Sequence, residues 1–440
     1  MIRLSDEIQG VLQHLEHQGY QAYIVGGFVR DALEGQLSTD LDIATDAHPE
    51  QLYPLFKTIE TNVKMNQYGI KFERGAYNFE ITTMRRETYN DTTRHPDAFE
   101  FVTTPLDDAV RRDFTVNALY YNRSNGILDF HGGMADLASR RIRMIGDPIV
   151  RFREDPIRIL RLFRFQGEHQ YQVDAATFNA AYMNRDHLMS VQGVNLRHEI
   201  TRLLLSVGCY PTMIANPWVL GKVFAPLEAT IHFDQKNPYH NRDLFNHTLT
   251  VVAGTPRKLE IRYAALFHDI GKVNTQTIDN QGIAHYRGHA IESKHLAQPI
   301  LESLQLPKKQ INYILDLITY HSMHLEISLS QMQQLIRVHG LAWTQDLIRL
   351  KHADNLAKSD KAAYQLEKTA QFEQLIQTIQ EENYPTHVRD LALSPLEIQT
   401  LGVALSQTQI VLERLLDGVI NQTITNTKEA LTAYIMEELQ

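Results

Sequence analysis

The chain has 440 residues, of which 43% are hydrophobic and 22% charged, and its formal net charge is −9. This length exceeds what one hydrophobic core usually supports, so we expect several structural units, and the composition excludes a largely disordered chain. A net negative charge argues against indiscriminate nucleic-acid binding, which depends on the neutralisation of phosphates.

The sequence also lacks the marks of a secreted or membrane protein. Its single cysteine, Cys209, excludes an internal disulfide framework and a cysteine-rich zinc site. No apolar run approaches the ~18 residues of a membrane span, and the segment Met1-Ile-Arg-Leu-Ser-Asp6 has no apolar core of a signal peptide. We therefore expect a cytoplasmic protein with no membrane partner, whose oligomeric state the sequence does not indicate.

Helix and strand patterns alternate in the N-terminal third of the chain. In chain order, the periodicity predicts an amphipathic helix over about residues 1–20, a strand at Ala22–Val25, a helix from about Val29, a strand around Leu41–Ala44, and extended segments near Gly69–Arg74 and Asn78–Met84. This alternation is typical of a small mixed sheet. The polar stretch from Arg85 to Pro96 predicts a mobile loop.

Helical periodicity dominates from about Pro148 onward, and strand patterns nearly vanish. Prolines cluster near Asn216–Pro226, which predicts a seam between two units. The predicted fold class is α+β, a small mixed-sheet head followed by a long all-helical region. The predicted units are a head over residues 1–139, a neck over 140–225, a body over 226–360 and a tail over 361–440.

Two carboxylates, Asp40 and Asp42, lie two residues apart in a predicted strand. Side chains at i and i+2 of a strand project from the same face, so these two can share a divalent metal. Upstream, Gly26-Gly27 opens a predicted helix, where backbone N–H groups can approach a triphosphate. Each feature alone is better explained by chance or by a tight turn. Together they predict a nucleotidyl-transfer site.

A basic run follows the predicted head. Between residues 140 and 164, three acids accompany eight arginines: Arg140, Arg141, Arg143, Arg151, Arg153, Arg158, Arg161 and Arg164. A solvated helix face is one explanation, but the excess of one sign favours a patch that faces a polyanion.

Asp155 and Arg158 lie one helical turn apart within this run. Asp155 precedes Pro156, the pattern of an N-cap followed by proline at the first helical position. The same pair can recognise a base, because cytosine and adenine both present an exocyclic amine beside a ring-nitrogen acceptor. Uracil or guanine would place a carbonyl against the carboxylate, a mismatch of about 1–3 kcal/mol. Capping and base recognition both remain open.

The residues Gly26, Gly27, Arg30, Asp31, Asp40 and Asp42 together resemble the head of the polymerase-β-like nucleotidyltransferases. The resemblance is to the class II group, which contains tRNA CCA-adding enzymes and bacterial poly(A) polymerases, and it covers about residues 20–165 closely. It implies Mg²⁺ at Asp40 and Asp42 with a third acid, for which Glu80 is the best candidate. For Glu80, a salt-bridged strand residue is the alternative.

The resemblance also assigns nucleotide contacts to Arg111-Arg112-Asp113-Phe-Thr-Val-Asn117. Arg111 or Arg112 would hold phosphate, and Asp113 and Asn117 would reach the sugar hydroxyls. A buried ion pair between Arg and Asp with an N-cap function is the alternative.

Glu154, Asp155 and Arg158, with Arg161 close by, match the class II motif in which protein side chains replace a template. The segment from Thr83 to Asp91 resembles the flexible segment that helps to change specificity from C to A.

A second constellation lies in the helical body. His247, His268-Asp269 and Asp354 follow the order of the HD metal-dependent phosphohydrolases, with His289 and His321 where further ligands lie in some members. Such ligands would hold a transition metal such as Ni, Mn or Co, or Mg, with bound water as nucleophile. A single histidine is usually a surface or core residue, and His240, His285, His295 and His324 have no context that assigns them.

Taken together, the resemblance implies template-independent addition of CCA to the 3′ end of tRNA from CTP and ATP. The RNA 3′-hydroxyl would attack the α-phosphate and release pyrophosphate, and the helical body and tail would grip the tRNA. The HD residues imply an additional phosphohydrolase activity on 2′-phosphates or 2′,3′-cyclic phosphates at RNA ends. The alternatives are a poly(A) polymerase or A-only-adding enzyme, and an HD phosphohydrolase whose head only binds RNA.

Overall fold

The computed structural model describes residues 2–89 and 96–438. Contacts divide the chain after Thr212 into two compact units. The predicted α+β class is confirmed, because one large sheet lies in the first unit and helices make up most of the second. No helix among the described residues is both long and apolar enough to cross a membrane.

The first unit contains a sheet with helices beside it. Its elements are α1 Asp6–His17, β1 Ala22–Val25, α2 Gly27–Leu33, β2 Asp40–Thr45, α3 Pro49–Lys57, β3 Lys64–Asn66, β4 Gly69–Arg74, β5 Tyr77–Thr83, β6 Arg85–Thr88, β7 Ala98–Phe101, α4 Pro105–Ala109, β8 Leu119–Asn122, β9 Gly126–Asp129, α5 Gly133–Ala138, β10 Arg141–Ile142, α6 Pro148–Glu154, α7 Ile157–His169, β11 Gln172–Val173, α8 Ala175–Met183 and α9 Gly193–Leu205. A further helix, α10 Cys209–Ala215, spans the division between the units.

Seven strands form the main sheet, in the order β3-β4-β5-β2-β1-β8-β9. β2 pairs with β1 in antiparallel and with β5 in parallel orientation, so β2 is a central strand. All four residues of β1 are buried, whereas β2 alternates at its start. Phe56, Phe72 and Phe79 stack in series in the core with ring centroids 5.2 and 5.1 Å apart. Burial of these rings holds α3 against the sheet.

The strand and helix predictions for the head are confirmed, with one correction. The predicted loop over 85–96 is wrong at its start, because Arg85–Thr88 forms β6, which pairs in antiparallel orientation with Ala98–Phe101. Its charged side chains pair with acids: Arg85 lies 2.8 Å from Glu87. This pairing makes a polar strand stable without an apolar pattern. Residues 90–95 of the predicted loop lie outside the described residues.

The second unit is helical apart from one short hairpin. Its elements are α11 Pro217–Val223, α12 Ala225–Glu228, α13 Leu244–Gly254, α14 Leu259–Phe267, α15 Lys272–Thr275, β12 Thr277–Ile278, β13 Ala284–His285, α16 His289–Ser303, α17 Lys308–Tyr320, α18 Leu329–His339, α19 Leu341–Leu356, α20 Tyr364–Glu381, α21 Pro395–Thr400, α22 Leu405–Ile420 and α23 Lys428–Glu438. The last three helices share an apolar cluster that includes Ile398, Leu415 and Leu431, all fully buried.

Candidate active site

Most of the predicted transfer residues line one cleft in the first unit, with a volume of about 1260 Å³. The lining includes Gly26, Gly27, Arg30, Asp40, Asp42, Glu80, Arg111, Arg112, Asp113, Asn117, Asp155, Arg158 and Arg161. These residues come from the two central strands β2 and β5, from the turn that follows β1 and the start of α2, from the segment between α4 and β8, and from the helical segment after the sheet. Of the nucleotide-binding residues predicted from the sequence, Glu154 does not line the cleft.

Three carboxylates share one face of the sheet. Asp40 and Asp42 are exposed while Leu41 and Ile43 between and after them are buried, as the period of a strand requires. Asp42 lies opposite Glu80 in the parallel register of β2 and β5. Register partners project from the same face, so Glu80 is directed to the side of the sheet on which Asp40 and Asp42 lie.

Two of these carboxylates have partners on neighbouring strands. Glu80 Oε2 lies 2.7 Å from Lys71 Nζ, and Asn78 Nδ2 donates to Asp40 Oδ1 at 2.9 Å. Glu80 therefore does form a salt bridge, as the alternative to a metal role predicted. Both Lys71 and Glu80 are at least one third exposed, and such ion pairs contribute about 0–1 kcal/mol. A pair this weak leaves the carboxylate able to ligate a metal.

Asp42 has the surroundings of a metal ligand. Although solvent reaches it, the walls of the cleft desolvate it and raise its pKa, while Arg112 acts in the opposite direction and Glu80 adds to the rise. At Gly26, φ is +80°, and a Cβ would lie 3.0 Å from Asp42 Oδ2. The space beside Asp42 thus depends on glycine, and an oxygen-only donor set with net negative charge fits Mg²⁺.

Asn117 is positioned by a buried arginine. Arg30 Nη1 donates to Asn117 Oδ1 at 2.5 Å, and Arg30 Nε and Nη2 donate to Asp31 Oδ1 at 2.9 and 2.7 Å. Asn117 Nδ2 is buried and has no hydrogen-bond partner among the described residues. An unsatisfied amide donor in a cleft wall is suited to bind a hydroxyl or carbonyl oxygen of a ligand.

Asp113 forms a buried ion pair with an arginine, which was the alternative to a role in sugar binding. The arginine is Arg161, 48 residues away in the sequence. Arg161 donates to Asp113 Oδ2 through Nε at 2.7 Å, and its Nη2 lies 2.6 Å away. Burial alone would raise the pKa of Asp113, but Arg161 and the backbone N–H of Phe114 lower it to about 2. Asp113 is therefore an anion that holds Arg161 at the cleft.

Asp108 was missed by the sequence analysis and organises the phosphate-binding candidates. It is fully buried, and it accepts from Arg111 Nε at 2.7 Å, from Arg112 Nη2 at 3.1 Å and from Tyr120 OH at 2.6 Å. Arg112 Nε also donates to Tyr120 OH at 2.8 Å. The spacing of Asp108 at i−3 and i−4 from the two arginines was the available signal.

Asp155 and Arg158, the candidates for base recognition, both line the cleft, and Asp155 also contacts the start of a helix. Asp155 Oδ1 accepts from the backbone N–H of Ile157, the first residue of α7, at 3.2 Å, so Asp155 caps α7 while it lines the cleft. The predicted N-cap position is wrong by one residue, because Pro156 is the N-cap of α7 and Asp155 precedes it. Arg158 Nη1 donates to the backbone oxygen of Arg151 at 2.8 Å and to Glu154 Oε2 at 3.1 Å. Glu154 thus supports Arg158 from behind, outside the cleft lining.

Tyr89, the residue that follows β6, lies beside Arg158. Tyr89 OH donates to Glu87 Oε2 at 2.9 Å, and the Arg158 guanidinium lies 5.7 Å from the centre of the Tyr89 ring. Burial and the Glu87 carboxylate raise the pKa of Tyr89, so the phenol stays protonated. Glu87 and Tyr89 had no assigned role, because the contacts of Glu87 with Arg111 and of Tyr89 with Arg158 join segments far apart in the chain.

The arginines of the run do not lie on one exposed face, although Arg158, Arg161 and Arg164 line the cleft, and a patch that faces a polyanion stays a prediction. Arg158 and Arg164 are buried, with Arg164 Nε 2.5 Å from Glu199 Oε2. Arg143 pairs with Asp136 and Arg151 with Glu154. Sequence counting overlooked these partners because Asp136 and Glu199 lie outside the counted window.

Four of the predicted HD residues meet in the second unit. The donor atoms of His247, His268, Asp269 and Asp354 all lie within 4.8 Å of one another and are buried. His247 Nε2 is 3.1 Å from Asp354 Oδ1 and 3.4 Å from Asp269 Oδ2, and His268 Nε2 is 3.1 Å from Asp269 Oδ2. α13, the end of α14 and α19 supply these side chains.

Asp269 also belongs to a second donor set, with His289 and His321. Its Oδ1 lies 3.3 Å from His289 Nε2 and 3.5 Å from His321 Nε2, whereas its Oδ2 faces His247 and His268. One carboxylate therefore lies between two groups of ligand atoms, an arrangement suited to a pair of ions.

The histidines are oriented as ligands. Nδ1 of His268, His289 and His321 lies 2.8, 2.8 and 2.6 Å from a backbone oxygen, which directs each Nε2 to the cluster. His247 Nε2, His268 Nε2 and Asp354 Oδ1 are buried, and although they lie close to the neighbouring donors of the cluster, they make no hydrogen bond of suitable geometry among the described residues. Orphaned nitrogen and oxygen atoms that converge in this way fit a transition metal.

Two lysines and an unassigned histidine border this cluster. Lys272 Nζ lies 2.7 Å from Asp269 Oδ2, and Lys358 Nζ lies 2.6 Å from Asp354 Oδ2. The ring of His240 packs edge-on against His247 with centroids 5.0 Å apart, and burial lowers its pKa to about 3. His240 is therefore a neutral packing partner of the cluster, a role that its sequence context did not indicate.

Replacement of Gly26 by alanine should weaken divalent-ion binding in the cleft by about 10- to 100-fold, because the added Cβ would displace Asp42. The matched control is Gly35→Ala, since Gly35 also has positive φ, +75°, but no atom within 4 Å of the added carbon. Mn²⁺ affinity, followed by electron paramagnetic resonance, measures the effect. Equal losses in both variants would attribute it to backbone strain alone.

The comparisons with known proteins agree with this geometry. Residues 22–143 match the poly(A) polymerase head domain, and residues 244–359 match the HD domain. The chain is 37% identical over 200 residues to the CCA-adding enzyme of Leuconostoc citreum and 35% identical over 195 residues to that of Bacillus licheniformis. These matches cover 45% and 44% of this chain and 49% of each relative, so the chain spans about half the length of the curated relatives it matches.

Two solved structures are similar along nearly the whole chain. The Bacillus stearothermophilus CCA-adding enzyme in complex with CTP has a TM-score of 0.68 at 22% identity, and the match covers 99% of this chain and 98% of that one. The Thermotoga maritima CCA-adding enzyme complexed with tRNA has a TM-score of 0.58 at 17% identity, with 100% and 97% covered. The chain therefore contains a poly(A) polymerase head domain and an HD domain, and it has the fold of the CCA-adding enzymes.

Proposed function

We propose that this chain adds CCA to the 3′ end of tRNA in the cytoplasm, using CTP and ATP without a template. The observation that supports this function most directly is that Asp155 and Arg158 line the same cleft as Asp40 and Asp42. A nucleotide whose phosphates lie at the carboxylates can thus place its base against a protein carboxylate and guanidinium. The curated relatives that match 45% and 44% of the chain are named CCA-adding enzymes.

In this proposal the carboxylate face holds the reacting groups. Asp40 and Asp42, with Glu80 as the third acid, would hold Mg²⁺, which when bound lowers the pKa of the attacking 3′-hydroxyl and stabilises charge on the leaving pyrophosphate. Arg111 and Arg112, fixed by Asp108, lie where they can neutralise phosphate oxygens.

The sugar and the base are held by separate groups. Asn117 Nδ2, presented by Arg30, donates to a sugar hydroxyl. Asp155 accepts a hydrogen bond from the exocyclic amine of C or A, and Arg158 donates to the adjacent ring nitrogen. Because Glu154 and the Arg151 backbone hold Arg158 through Nη1, the guanidinium keeps one orientation toward the base. A fixed pair rejects U and G by leaving a carboxylate opposite a carbonyl.

The HD cluster is proposed to be a phosphohydrolase centre for 2′-phosphates or 2′,3′-cyclic phosphates at RNA ends. The two donor sets that share Asp269 support this role. Ni, Mn, Co or Mg held there would supply an activated water as nucleophile. Lys272 and Lys358 hold Asp269 and Asp354 as carboxylates, so both stay able to ligate.

The helical neck, body and tail are proposed to hold the tRNA. The tail, residues 361–440, contains five Lys and Arg against eleven Asp and Glu. Attraction to phosphate is therefore weak there, and recognition by the tail would rest on shape rather than on charge.

The transfer activity is tested with tRNA that lacks its CCA end. The purified protein with Mg²⁺ should add C, C and then A, and Asp40→Asn should lower the rate by at least about 100-fold because it removes a ligand charge. Asp46→Asn is the matched control, since Asp46 accepts from the backbone N–H of Gln21 away from the cleft. Addition of A alone, or of long A tails, would replace CCA addition by one of the rival activities.

Base recognition is tested with Asp155→Ala. Loss of the carboxylate should reduce the preference for CTP over UTP by about 10- to 100-fold, the value of one mismatched buried polar contact. Asp147→Ala is the control, because Asp147 also caps a helix, accepting from Ile149 N at 2.9 Å, but does not line the cleft. If both variants keep the wild-type ratio of kcat/KM for the two nucleotides, Asp155 is only a cap.

The HD centre is tested by a change that should remove hydrolysis and leave nucleotide transfer intact. His268→Ala or a chelator should abolish hydrolysis of 2′,3′-cyclic AMP, and Ni²⁺ or Mn²⁺ should restore it to the chelated wild type, while His268→Ala leaves nucleotide transfer unchanged. His295→Ala, an exposed histidine outside the cluster, serves as the control. Absence of hydrolysis by the wild type with every metal would reject the phosphohydrolase function.

A further inference from the structure

A cavity of about 420 Å³ opens directly onto the HD cluster. Asp269, His289, His321 and Asp354 form part of its wall, and residues of α19 and α20 form much of the remainder. The volume falls within the range of small-ligand sites and suits a single nucleotide rather than a folded RNA.

Three lysines line this cavity, and two of them are committed to the protein. Lys351 Nζ donates to the backbone oxygens of His321 and Met323, both at 2.7 Å. Lys358 Nζ donates to Asp354 Oδ2 at 2.6 Å. These ammonium groups therefore hold the cluster and the loop after His321, and they have little capacity left for a ligand.

The third lysine differs. Lys368 is exposed, and among the described residues it has no carboxylate or carbonyl partner; its ammonium lies 5.6 Å from the centre of the Tyr364 ring. An uncompensated ammonium group at the wall of a cavity attracts an anion.

Tyr364 stands beside it. The ring is 50% exposed, and Gln365 Nε2 donates to its hydroxyl at 3.0 Å. Tyr364 and Lys368 lie one helical turn apart on α20 and line the same cavity. An aromatic face and a cation at this spacing provide partners for the base and the phosphate of one nucleotide.

We propose that Tyr364 and Lys368 form the substrate-binding side of the HD cavity and position a nucleotide phosphate ester against the cluster. Lys368 contacts a phosphate oxygen and Tyr364 stacks with the base. The proposal rests on the phosphohydrolase function proposed for the cluster. The ligand is either a free nucleotide or the terminal nucleotide of an RNA, since both present the same base, sugar and phosphate.

The test compares KM and kcat for adenosine 2′-phosphate, 2′,3′-cyclic AMP, an RNA ending in a cyclic phosphate, and glycerol 2-phosphate, which has no ring. Lys368→Met should raise KM about 10-fold for all four, with kcat changed less than about 2-fold, because it removes binding and leaves the cluster intact. Tyr364→Leu should raise KM about 10-fold for the nucleotide esters and leave it unchanged for glycerol 2-phosphate.

Lys361→Met and Tyr384→Leu are the matched controls, because both residues are exposed and lie outside the cavity. If KM rises only for the RNA substrate, the proposal is supported and the ligand is an RNA end. If KM also rises for the free nucleotides, the proposal is supported and free nucleotides are ligands. Wild-type KM values in both cavity variants, with hydrolysis intact, would overturn the proposal and leave the phosphohydrolase function standing.

If the wild type hydrolyses none of the esters, the phosphohydrolase function is rejected. The proposed nucleotide subsite is then tested by binding alone. Calorimetric titration of adenosine 2′-phosphate into chelated protein compares wild type with Lys368→Met, since the head contributes equally to both. Weaker binding by the variant supports the subsite, and identical titrations reject it.

Discussion

Carboxylates that lie side by side repel each other unless cations lie nearby. Both candidate sites of this chain contain such carboxylates together with fixed cations. In the head, Asp42 lies next to Glu80 on one sheet face, and Arg112, fixed in turn by Asp108, is the cation that acts most strongly to lower the pKa of Asp42. In the helical unit, Lys272 and Lys358 each contact one of the buried aspartates. Fixed cations offset part of the negative charge, and the remainder suits divalent ions.

The two sites differ in how far they are open to solvent. Asp40 and Asp42 are exposed on a sheet face at a wide cleft. The HD donors are buried at the end of a cavity with about a third of that volume, 420 against 1260 Å³. The cleft of the head therefore has room for larger ligands than the cavity at the HD cluster has.

The same type of side chain serves different purposes along the cleft. Arg161 pairs with Asp113, and Arg164 is buried against Glu199, so both help to hold the neck in place. Arg158 is held through one nitrogen by Glu154, which leaves the rest of its guanidinium at the cleft. Specificity for a base requires such a fixed donor, because a mobile side chain would adapt to the wrong base.

Local patterns predicted much of the head. The strands Ala22–Val25 and Gly69–Arg74 and the alternation around Asp40 and Asp42 follow from the period of two, since each residue of a strand faces the side opposite to its neighbours. The strand Arg85–Thr88 was missed because its stability comes from pairing with Ala98–Phe101 and from ion pairs, neither of which an apolar pattern reports.

By itself, the sequence determined the types of donor and their local spacing: the acidic pair in a strand, the adjacent His268-Asp269, and the capping aspartate before a proline. Only the tertiary structure decided which of these groups meet. It paired Asp113 with Arg161 across 48 residues, made Asp269 common to two donor sets, and directed Glu154 away from the cleft. The reason is that hydrogen bonds and ion pairs depend on distance in space, and packing of the helices and the sheet sets that distance.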